Sequence, residues 1–407
     1  MARGRGLSGR AGLMMSGGTR PYSFVWLLAA AQLVAWGSLY YAFAVAVVPM
    51  EAELGWSKTS LNGALSVGLL SWGLCAPLVG QWIDRHGARA VMIGGAVAGG
   101  LLMVAWSQVR EIWQFYLIWA AMGASMACLL YEPAFAVVTA LYGADYRRAI
   151  TAITLLGGFA STVLIPVTQV LCDAVGWRHA ILTIGLFCIV FVGGIHALLL
   201  RPGDGKAPHQ PQAVEKTGGP LVLSPVFLGL AVWFTAYGAI FTGLTFQLIP
   251  LMSAHDLDSG RIIVVMALIG PMQVFGRIVL LALGRRQTAR GTGAFVVVSM
   301  LGSVTILLLA PGYFPALVAF ALLYGAGNGI MTIVRGTAVP EYLGNARYGA
   351  TNGALALPIN IAKAASPLAL AGLWSATGSP RAVILALLAC CGVALAGYLT
   401  ATFMRKS

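Results

Sequence analysis

The sequence predicts an all-α membrane protein with twelve transmembrane helices, arranged in two pseudo-symmetric six-helix bundles. The composition, the length of the apolar segments and a repeat between the two halves of the chain lead to this fold class. Of the 407 residues, 59% are hydrophobic and 9% are charged, whereas a soluble domain carries roughly 25% charged residues. The apolar runs reach about 20 residues or more, the length that crosses a hydrocarbon core of roughly 30 Å. Such runs must be helical, because lipid offers the backbone no hydrogen-bond partners.

The predicted helices follow from these runs and from the polar segments between them. The first run begins at Tyr22, after four arginines, and is too long for the apolar part of a signal peptide. It is therefore predicted to be an uncleaved membrane helix. The predicted spans are 22–50, 58–83, 89–107, 112–142, 149–173, 178–200, 223–253, 260–284, 291–310, 313–341, 348–376 and 381–404.

The loop charges predict the topology. With the N-terminus inside, the cytoplasmic segments hold 17 of the 25 Lys and Arg residues, the outside loops hold five, and three lie within predicted helices. This asymmetry fits the positive-inside rule and an even number of spans. We therefore expect a multi-pass protein of a plasma membrane, the inner membrane in a bacterium, with both termini in the cytoplasm.

A polar segment in the middle of the chain predicts the domain organisation. Residues 201–222 are rich in Pro, Gly and charge, which is typical of a flexible linker. The predicted units are a tail at 1–21, bundles at 22–200 and 223–404 on either side of the linker, and a tail at 405–407. The halves repeat at an offset of 201 residues, which aligns Pro49 with Pro250, Arg85 with Arg286, Arg89 with Arg290 and Gly143 with Gly344. Repeated halves suit a protein that rocks one bundle against the other.

The loop between the second and third spans carries the most specific motif. It contains Gly80, Asp84, Arg85, Gly87 and Arg89 in the spacing G-x-x-x-D-R-x-G-x-R. This resembles the signature loop of the major facilitator superfamily, and the resemblance implies a loop that holds the two bundles together on the cytoplasmic side. A physical reason is that Asp84 can face the N-terminus of a helix in the other half. The second-half copy has Arg285 and Thr288 where the first has Asp and Gly, so we expect the first copy to provide the main contact.

Shorter stretches resemble one branch of that superfamily, the monocarboxylate and oxalate–formate porters. They are Tyr131-Glu132-Pro133-Ala134, Arg147-Arg148-Ala149, Gly157-Gly158 and Gly55-Trp56-Ser57. Porters of this branch use an Arg on the eighth helix and a Lys on the eleventh to hold substrate carboxylates. The resemblance therefore implies a transported organic anion, and it places Arg277 and Lys363 on the corresponding helices.

Four ionisable residues lie inside predicted spans, namely Glu132, Arg277, Arg335 and Lys363. A charge in hydrocarbon costs at least about 2.5–3.5 kcal/mol, so each is a candidate functional residue. Together they carry a net charge of about +2, which favours an anion. We predict that Arg277 and Lys363 bind an anionic group and that Arg335 contributes. The alternative is that an arginine pairs with Glu132 and only fixes packing.

Glu132 is the acidic residue predicted deepest in a helix, and it predicts coupling to H⁺. Burial favours its neutral form and a nearby arginine favours its anion, so it can take up a proton in one state and release it in another. The alternative is a static ion pair with Arg335 or Arg277. Exchange against a counter-substrate is the other form of coupling that we considered.

Other functional classes find less support. The formal charge of +13 lies in short loops, so topology accounts for it and no nucleic-acid partner is expected. The five His and six Cys residues show no metal-ligand spacing, and no nucleophile–base set is present. We therefore expect no catalytic residue, metal or cofactor, and a monomer in the lipid bilayer that binds a small molecule. An exporter of neutral drugs or metalloids, or a non-transporting membrane receptor, remain the alternatives.

Overall fold

The computed structural model describes residues 20–206, 224–255, 257–283, 288–344 and 347–404. These ranges are helical apart from short connections, and they contain no strand. This confirms the predicted all-α class. The α-helices are α1 (Ser23–Trp36), α2 (Ala42–Leu54), α3 (Lys58–His86), α4 (Arg89–Ser107), α5 (Ile112–Leu129), α6 (Tyr131–Leu141), α7 (Tyr146–Gly157), α8 (Ala160–Phe187), α9 (Gly194–Leu199), α10 (Pro225–Ser253), α11 (Ser259–Leu283), α12 (Ala289–Leu309), α13 (Phe314–Leu343), α14 (Tyr348–Thr377) and α15 (Pro380–Phe403).

Eleven segments among the described residues are long and apolar enough to cross a membrane, one fewer than predicted. The difference lies in Gly143–Leu199, a segment of 57 residues that joins the predicted fifth and sixth spans. At 1.5 Å per residue it would be about 85 Å long, nearly three times the hydrocarbon thickness. The backbone leaves the helical conformation within it at Gly176, where φ is 78° and ψ is 156°. Two crossings that meet at Gly176 account for its length and bring the count to twelve.

Two crossings are interrupted where the candidate site lies. The first consists of α1 and α2 joined by a π-helical segment, Gly37–Tyr41. The fourth consists of α5 and α6 joined at Leu130, whose ψ of −155° breaks the helical hydrogen bonding. The side-chain amide of Gln32 donates to the carbonyl of Leu129 at 2.8 Å, so one backbone acceptor at this break is satisfied. Irregular backbone inside a membrane protein requires such internal partners.

The two ends of the molecule differ in how the halves meet. We call the end where α3 finishes the Asp84 side, and the end where α2 finishes the Glu53 side. On the Asp84 side one apolar cluster joins residues from both halves of the chain, including Phe135, Ile150 and Val334. The cluster near the Glu53 side consists of first-half residues, with Ala356 as the one buried member from the second half. The halves are therefore in contact on the Asp84 side.

The start of the predicted linker is ordered rather than extended. Residues 201–206 form a turn against the first half, in which the backbone N–H of Ala88 donates to the carbonyl of Asp204 at 2.7 Å. The Asp204 carboxylate pairs with Arg20 at 2.7 Å. The rest of the linker at 207–222, most of the predicted N-terminal tail and the C-terminal tail at 405–407 lie outside the described residues. The bundle boundaries at 22–200 and 223–404 remain a prediction.

Candidate functional site

Asp84 lies at the N-terminus of a helix from the other half of the chain. The backbone N–H groups of Gly349 and Ala350 donate to Oδ1 and Oδ2 of Asp84 at 2.9 and 2.8 Å. Both donors lie in the first turn of α14, where backbone N–H groups lack intrahelical acceptors. The carboxylate thus satisfies two free donors and lies at the positive end of the helix dipole.

A close backbone contact between α3 and α14 brings these groups together. A Cβ atom on Gly80 would lie 2.0 Å from the carbonyl oxygen of Gly349, and one on Gly349 would lie 2.5 Å from the oxygen of Gly80. Further along, a Cβ on Gly353 would lie 2.3 Å from the carbonyl oxygen of Ala76. Small residues permit this approach, as at other tightly packed membrane helices. Gly80 is therefore required by geometry at this contact.

The remaining residues of the motif lie around the loop itself. Gly87 has a φ of 91°, a conformation that side chains rarely adopt, and a Cβ there would lie 2.9 Å from Cα of Gly203. Arg89 donates to the carbonyl of Ala197 at 3.3 Å, near the end of α9. Arg85 is exposed to the surroundings of the helical bundle. The motif thus divides into residues that contact the other half and residues that hold the loop on its own half.

A second ionic contact joins the halves on the same side. Arg147 at the start of α7 pairs with Glu341 near the end of α13. The same carboxylate accepts the backbone N–H of Ala289, the first residue of α12, at 2.8 Å. Because the second-half copy of the motif lacks the Asp and the Gly, we expected Asp84 to provide the main contact between the halves. The structure adds Glu341, an acid outside that motif which binds the start of a first-half helix.

Glu132 and Arg335 form an ion pair across the halves inside the membrane. Nη2 of Arg335 lies 2.6 Å from Oε1 of Glu132, and the two side chains are 22% and 15% exposed. Glu132 lies in the first turn of α6, just after the break at Leu130. Its second oxygen, Oε2, is buried without a hydrogen-bond partner among the described residues. Of the two pairings that the sequence left open for Glu132, the structure shows the one with Arg335.

Arg277 is the most deeply buried of the three cations, at 5% exposure. Its Nε donates to the carbonyl oxygen of Gly329 on α13 at 3.2 Å. Its Nη1 is buried and has no acceptor within the part of the chain that the structure describes. The guanidinium also lies against Gly158, directly after the end of α7. A buried charge with an unsatisfied donor is costly.

Lys363 lies in the middle of α14. Its aliphatic stem passes α10, where a Cβ on Gly238 would be 3.4 Å from Cγ of the lysine. The side chain is enclosed by protein and interacts electrostatically with Arg335 and Glu132, yet it keeps part of its surface accessible. This combination is that of a side chain facing an internal space. Lys363 therefore shares the electrostatic environment of the Glu132–Arg335 pair.

An aromatic wall lies beside these charges. The ring of Trp36 is 4.9 Å from that of Tyr131 and 5.6 Å from that of Tyr40, between ring centroids. The charge of Arg277 acts on the hydroxyls of Tyr41 and Tyr131, and also on that of Tyr237 from α10. The π-helical segment Gly37–Tyr41 carries two of these rings, and such segments occur frequently at functional sites. Tyr41 and Tyr131 of the first half thus lie within electrostatic range of a cation of the second.

Sequence reasoning missed two acids that bind across elements. Glu341 stands at the edge of a predicted span and Asp204 in a predicted linker, where charges are ordinary. An acid at the last turn of a helix is unfavourable for the helix dipole, and this was the available signal for Glu341. Among the described residues no group of His, Cys, Asp or Glu has a geometry that could hold a metal ion.

Comparisons with known proteins identify the family and the fold. Residues 26–367 match the family profile described as the Major Facilitator Superfamily. Among curated proteins the chain is similar to monocarboxylate transporter 10 of Danio rerio, with 23% identity over 329 residues. That match covers 75% of this chain and 62% of the relative, so the chain spans less than two thirds of the relative's length.

Solved structures show the same fold. The human organic anion transporter MFSD10 (TETRAN) has a TM-score of 0.70 at 19% identity, covering 93% of this chain and 98% of that one. The proton:xylose symporter XylE has a TM-score of 0.71 at 13% identity, covering 94% and 95%. At these identities the likeness concerns the fold, and the chemistry of the site has to be argued from the residues.

Proposed function

The chain belongs to the Major Facilitator Superfamily, and from that premise we propose that this integral membrane transporter carries a small organic anion, a mono- or dicarboxylate, by secondary active transport. The family consists of transporters rather than enzymes. The observation that supports an anionic substrate most directly is Arg277, which is 5% exposed and has a buried Nη1 without an acceptor among the described residues. A carboxylate supplies the acceptor and the charge that this guanidinium lacks, and the guanidinium fork suits bidentate binding.

The other internal charges support the same substrate class. Glu132 and Arg335 neutralise each other at 2.6 Å, so Arg277 and Lys363 remain as the excess positive charge. In a low-dielectric interior this excess attracts an anion. The similar relative and one similar structure are named a monocarboxylate transporter and an organic anion transporter. In this proposal Arg277 binds the carboxylate first, Lys363 supplies a second charge, and Arg335 contributes when its pair with Glu132 opens.

Alternating access is the proposed mode of movement. The contacts between the halves are concentrated on the Asp84 side: the carboxylate of Asp84 on α14, and Arg147 with Glu341. Breaking these contacts opens the molecule on that side, and re-forming them closes it. Gly80 allows the approach of α14, while Arg85, Gly87 and Arg89 belong to the loop that carries Asp84. These five residues form the proposed gating loop.

Proton coupling is proposed through Glu132. Its ion pair joins α6 of the first half to α13 of the second, so separation of the halves removes its counter-ion. A carboxylate left in the membrane interior without a cation takes up a proton, because the charged form is not solvated there. Protonation of Glu132 therefore accompanies opening on the Asp84 side. Exchange against a second anion is the alternative coupling.

The loop charges support the orientation. Among the described residues the Asp84 side carries more Lys and Arg than the Glu53 side, which favours the cytoplasm. We propose a monomer in the plasma membrane, the inner membrane if the source is bacterial, with both termini on the cytoplasmic side.

The test is uptake by the purified protein in liposomes. Radiolabelled lactate, pyruvate, benzoate and oxalate are offered with and without an inward pH gradient. We expect uptake of at least one carboxylate and its loss in Arg277→Ala. The matched control is Arg261→Ala, which removes a surface arginine that is 60% exposed. Equal carboxylate uptake by Arg277→Ala and the control, or uptake of neutral solutes alone, contradicts the anion proposal and favours the neutral-drug or metalloid exporter.

A further inference from the structure

Arg277 occupies the space that a side chain at position 158 would fill. A Cβ atom built on Gly158 lies 1.5 Å from Nη1 of Arg277 and 2.7 Å from its Cζ. Since a carbon–carbon bond is about 1.5 Å long, Nη1 lies at most about 3 Å from Cα of Gly158. The guanidinium thus lies directly against the first-half backbone. Any residue other than glycine at this position displaces it.

Arg277 meets the first half where α7 passes into α8. Gly158 follows the last residue of α7, and its N–H donates to the carbonyl of Thr154 at 2.9 Å. The backbone stays right-handed helical at Gly158 and Phe159, so the crossing has only a local irregularity here. Nη1 finds no acceptor there among the described residues, so the contact orients the guanidinium without saturating it.

The second half, which carries Arg277, also holds its guanidinium. Nε donates to the carbonyl of Gly329, and a Cβ on Gly329 would lie 2.1 Å from the carbonyl oxygen of Gln273. The backbones of α11 and α13 are therefore as close as glycine allows at this level. Arg277 thus contacts the first-half backbone at Gly158 and a carbonyl of the second half.

We propose that Gly158 is a positioning residue for the anion site, and that Arg277 reaches its binding pose only while α7 of the first half lies against α11 of the second. Because glycine has no side chain, position 158 leaves the space in which the guanidinium of Arg277 is oriented. When the halves separate on the Asp84 side, the guanidinium loses this wall and can rotate. The affinity for the anion therefore differs between the two states of the transporter. This part of the inference rests on the proposed function of Arg277.

The first experiment measures the pose without any substrate. The full-length protein in detergent micelles is treated with phenylglyoxal, an arginine reagent, and labelling of each arginine is followed by peptide mass spectrometry. In Gly158→Ala the guanidinium is pushed out of its pocket, so Arg277 should be labelled roughly tenfold faster than in the unmodified protein, because a displaced guanidinium seeks water. Exposed Arg85 is the internal reference. The control Gly270→Ala lies on α11 and faces open space, so it should change nothing. Unchanged labelling of Arg277 in Gly158→Ala overturns the proposal.

The second experiment connects the pose to transport. Arg277→Lys shortens and narrows the cationic head, so it should weaken uptake in the presence of Gly158 and partly restore uptake in the presence of Gly158→Ala. Arginine at position 277 should therefore support more uptake than lysine when position 158 is glycine, and less when it is alanine. This order would not reverse if Gly158 only bent the helix. The readout is KM for the carboxylate taken up in the liposome assay, with a rise of tenfold or more expected for Gly158→Ala and little change in kcat. Faster labelling with an unchanged KM would support the positioning and contradict the anion-binding role of Arg277. A loss of kcat at unchanged labelling contradicts the positioning alone.

Discussion

Replacing Asp84 by asparagine should open the molecule on the Asp84 side. The carboxylate accepts two backbone hydrogen bonds, at 2.9 and 2.8 Å, from the first turn of α14. Asparagine retains one acceptor and turns an NH₂ group towards the other N–H. The substitution also removes the negative charge at the positive end of the helix dipole. The closed state therefore loses an interaction that the open state never made.

The magnitude follows from the two contributions. A hydrogen bond to a charged group contributes about 1.5–3 kcal/mol, and a charge at a helix terminus about 0.3–1 kcal/mol. Since Asp84 is only partly buried and one hydrogen bond remains, we expect a loss of about 2–3 kcal/mol. Every 1.4 kcal/mol corresponds to a factor of ten, so the ratio of open to closed molecules should rise roughly 30- to 150-fold.

The assay is a distance measurement between spin labels on the two halves. Cysteines replace Ala140 at the end of α6 and Gly291 at the start of α12, both exposed, in a background without the six native cysteines. Asp84→Asn should increase the population with a long inter-label distance. Asp258→Asn is the matched control, because it makes the same chemical change at a surface carboxylate that is 61% exposed. A ratio that changes by less than about threefold, or changes equally in the control, would refute the helix-capping argument.

Four further substitutions test other contacts. Glu132→Gln should abolish accumulation driven by a pH gradient while leaving transport down a substrate gradient, measured in liposomes; retained accumulation places the coupling elsewhere. Glu341→Gln should open the Asp84 side by about fivefold in the same spin-labelled pair, less than Asp84→Asn, because its partner Arg147 is 25% exposed and partly screened. Gly349→Ala should increase the distance between the two spin labels, since its Cβ would lie 2.5 Å from the Gly80 oxygen. Gly372→Ala on the same helix is the control, because it faces open space and should leave that distance unchanged. Arg178→Ala removes the 2.9 Å ion pair with Glu53 and two hydrogen bonds, of 2.8 and 2.9 Å, to carbonyl groups at the end of α4. It should lower the free energy of unfolding by about 2–3 kcal/mol, measured by thermal unfolding in detergent. KM for the substrate should not change.

The architecture was predictable because the membrane leaves few choices. Apolar runs of sufficient length have to be helices, and charges in their loops set the direction of crossing. The eleven segments become the predicted twelve once Gly143–Leu199 is divided at Gly176, which lies between the predicted fifth and sixth spans. The breaks inside the first and fourth crossings were not predictable, because a π-helical segment such as Gly37–Tyr41 leaves the apolar pattern continuous.

The ionisable residues inside the crossings could be identified from the sequence, but their pairings could not. Glu132, Arg277 and Arg335 stand out because a charge in an apolar run is conspicuous in a sequence. The partner of Glu132 depends on how α6 and α13 are rotated about their axes, which a hydrophobic pattern in an enclosed helix does not specify. Gly158 is the extreme case, since its role depends on a side chain from another helix lying where its own would be. Contacts of this kind follow from packing in three dimensions, so the resemblance at Gly157-Gly158 gave no indication of this role.

The inter-half contacts share a property that suits the proposed movement. On the Asp84 side they are a carboxylate on a helix end, the Arg147–Glu341 ion pair and backbone approaches at glycine, and the charged partners remain partly exposed. Groups of this type keep hydrogen-bond partners in water when they separate, so opening costs less than exposing an apolar surface of the same area. Arg277 differs from them, because it is buried and lacks an acceptor for Nη1 among the described residues while the halves touch. The closed state without substrate therefore carries an unmet charge, and an anion that meets this charge stabilises closure. The binding of substrate can therefore determine which side of the carrier is closed.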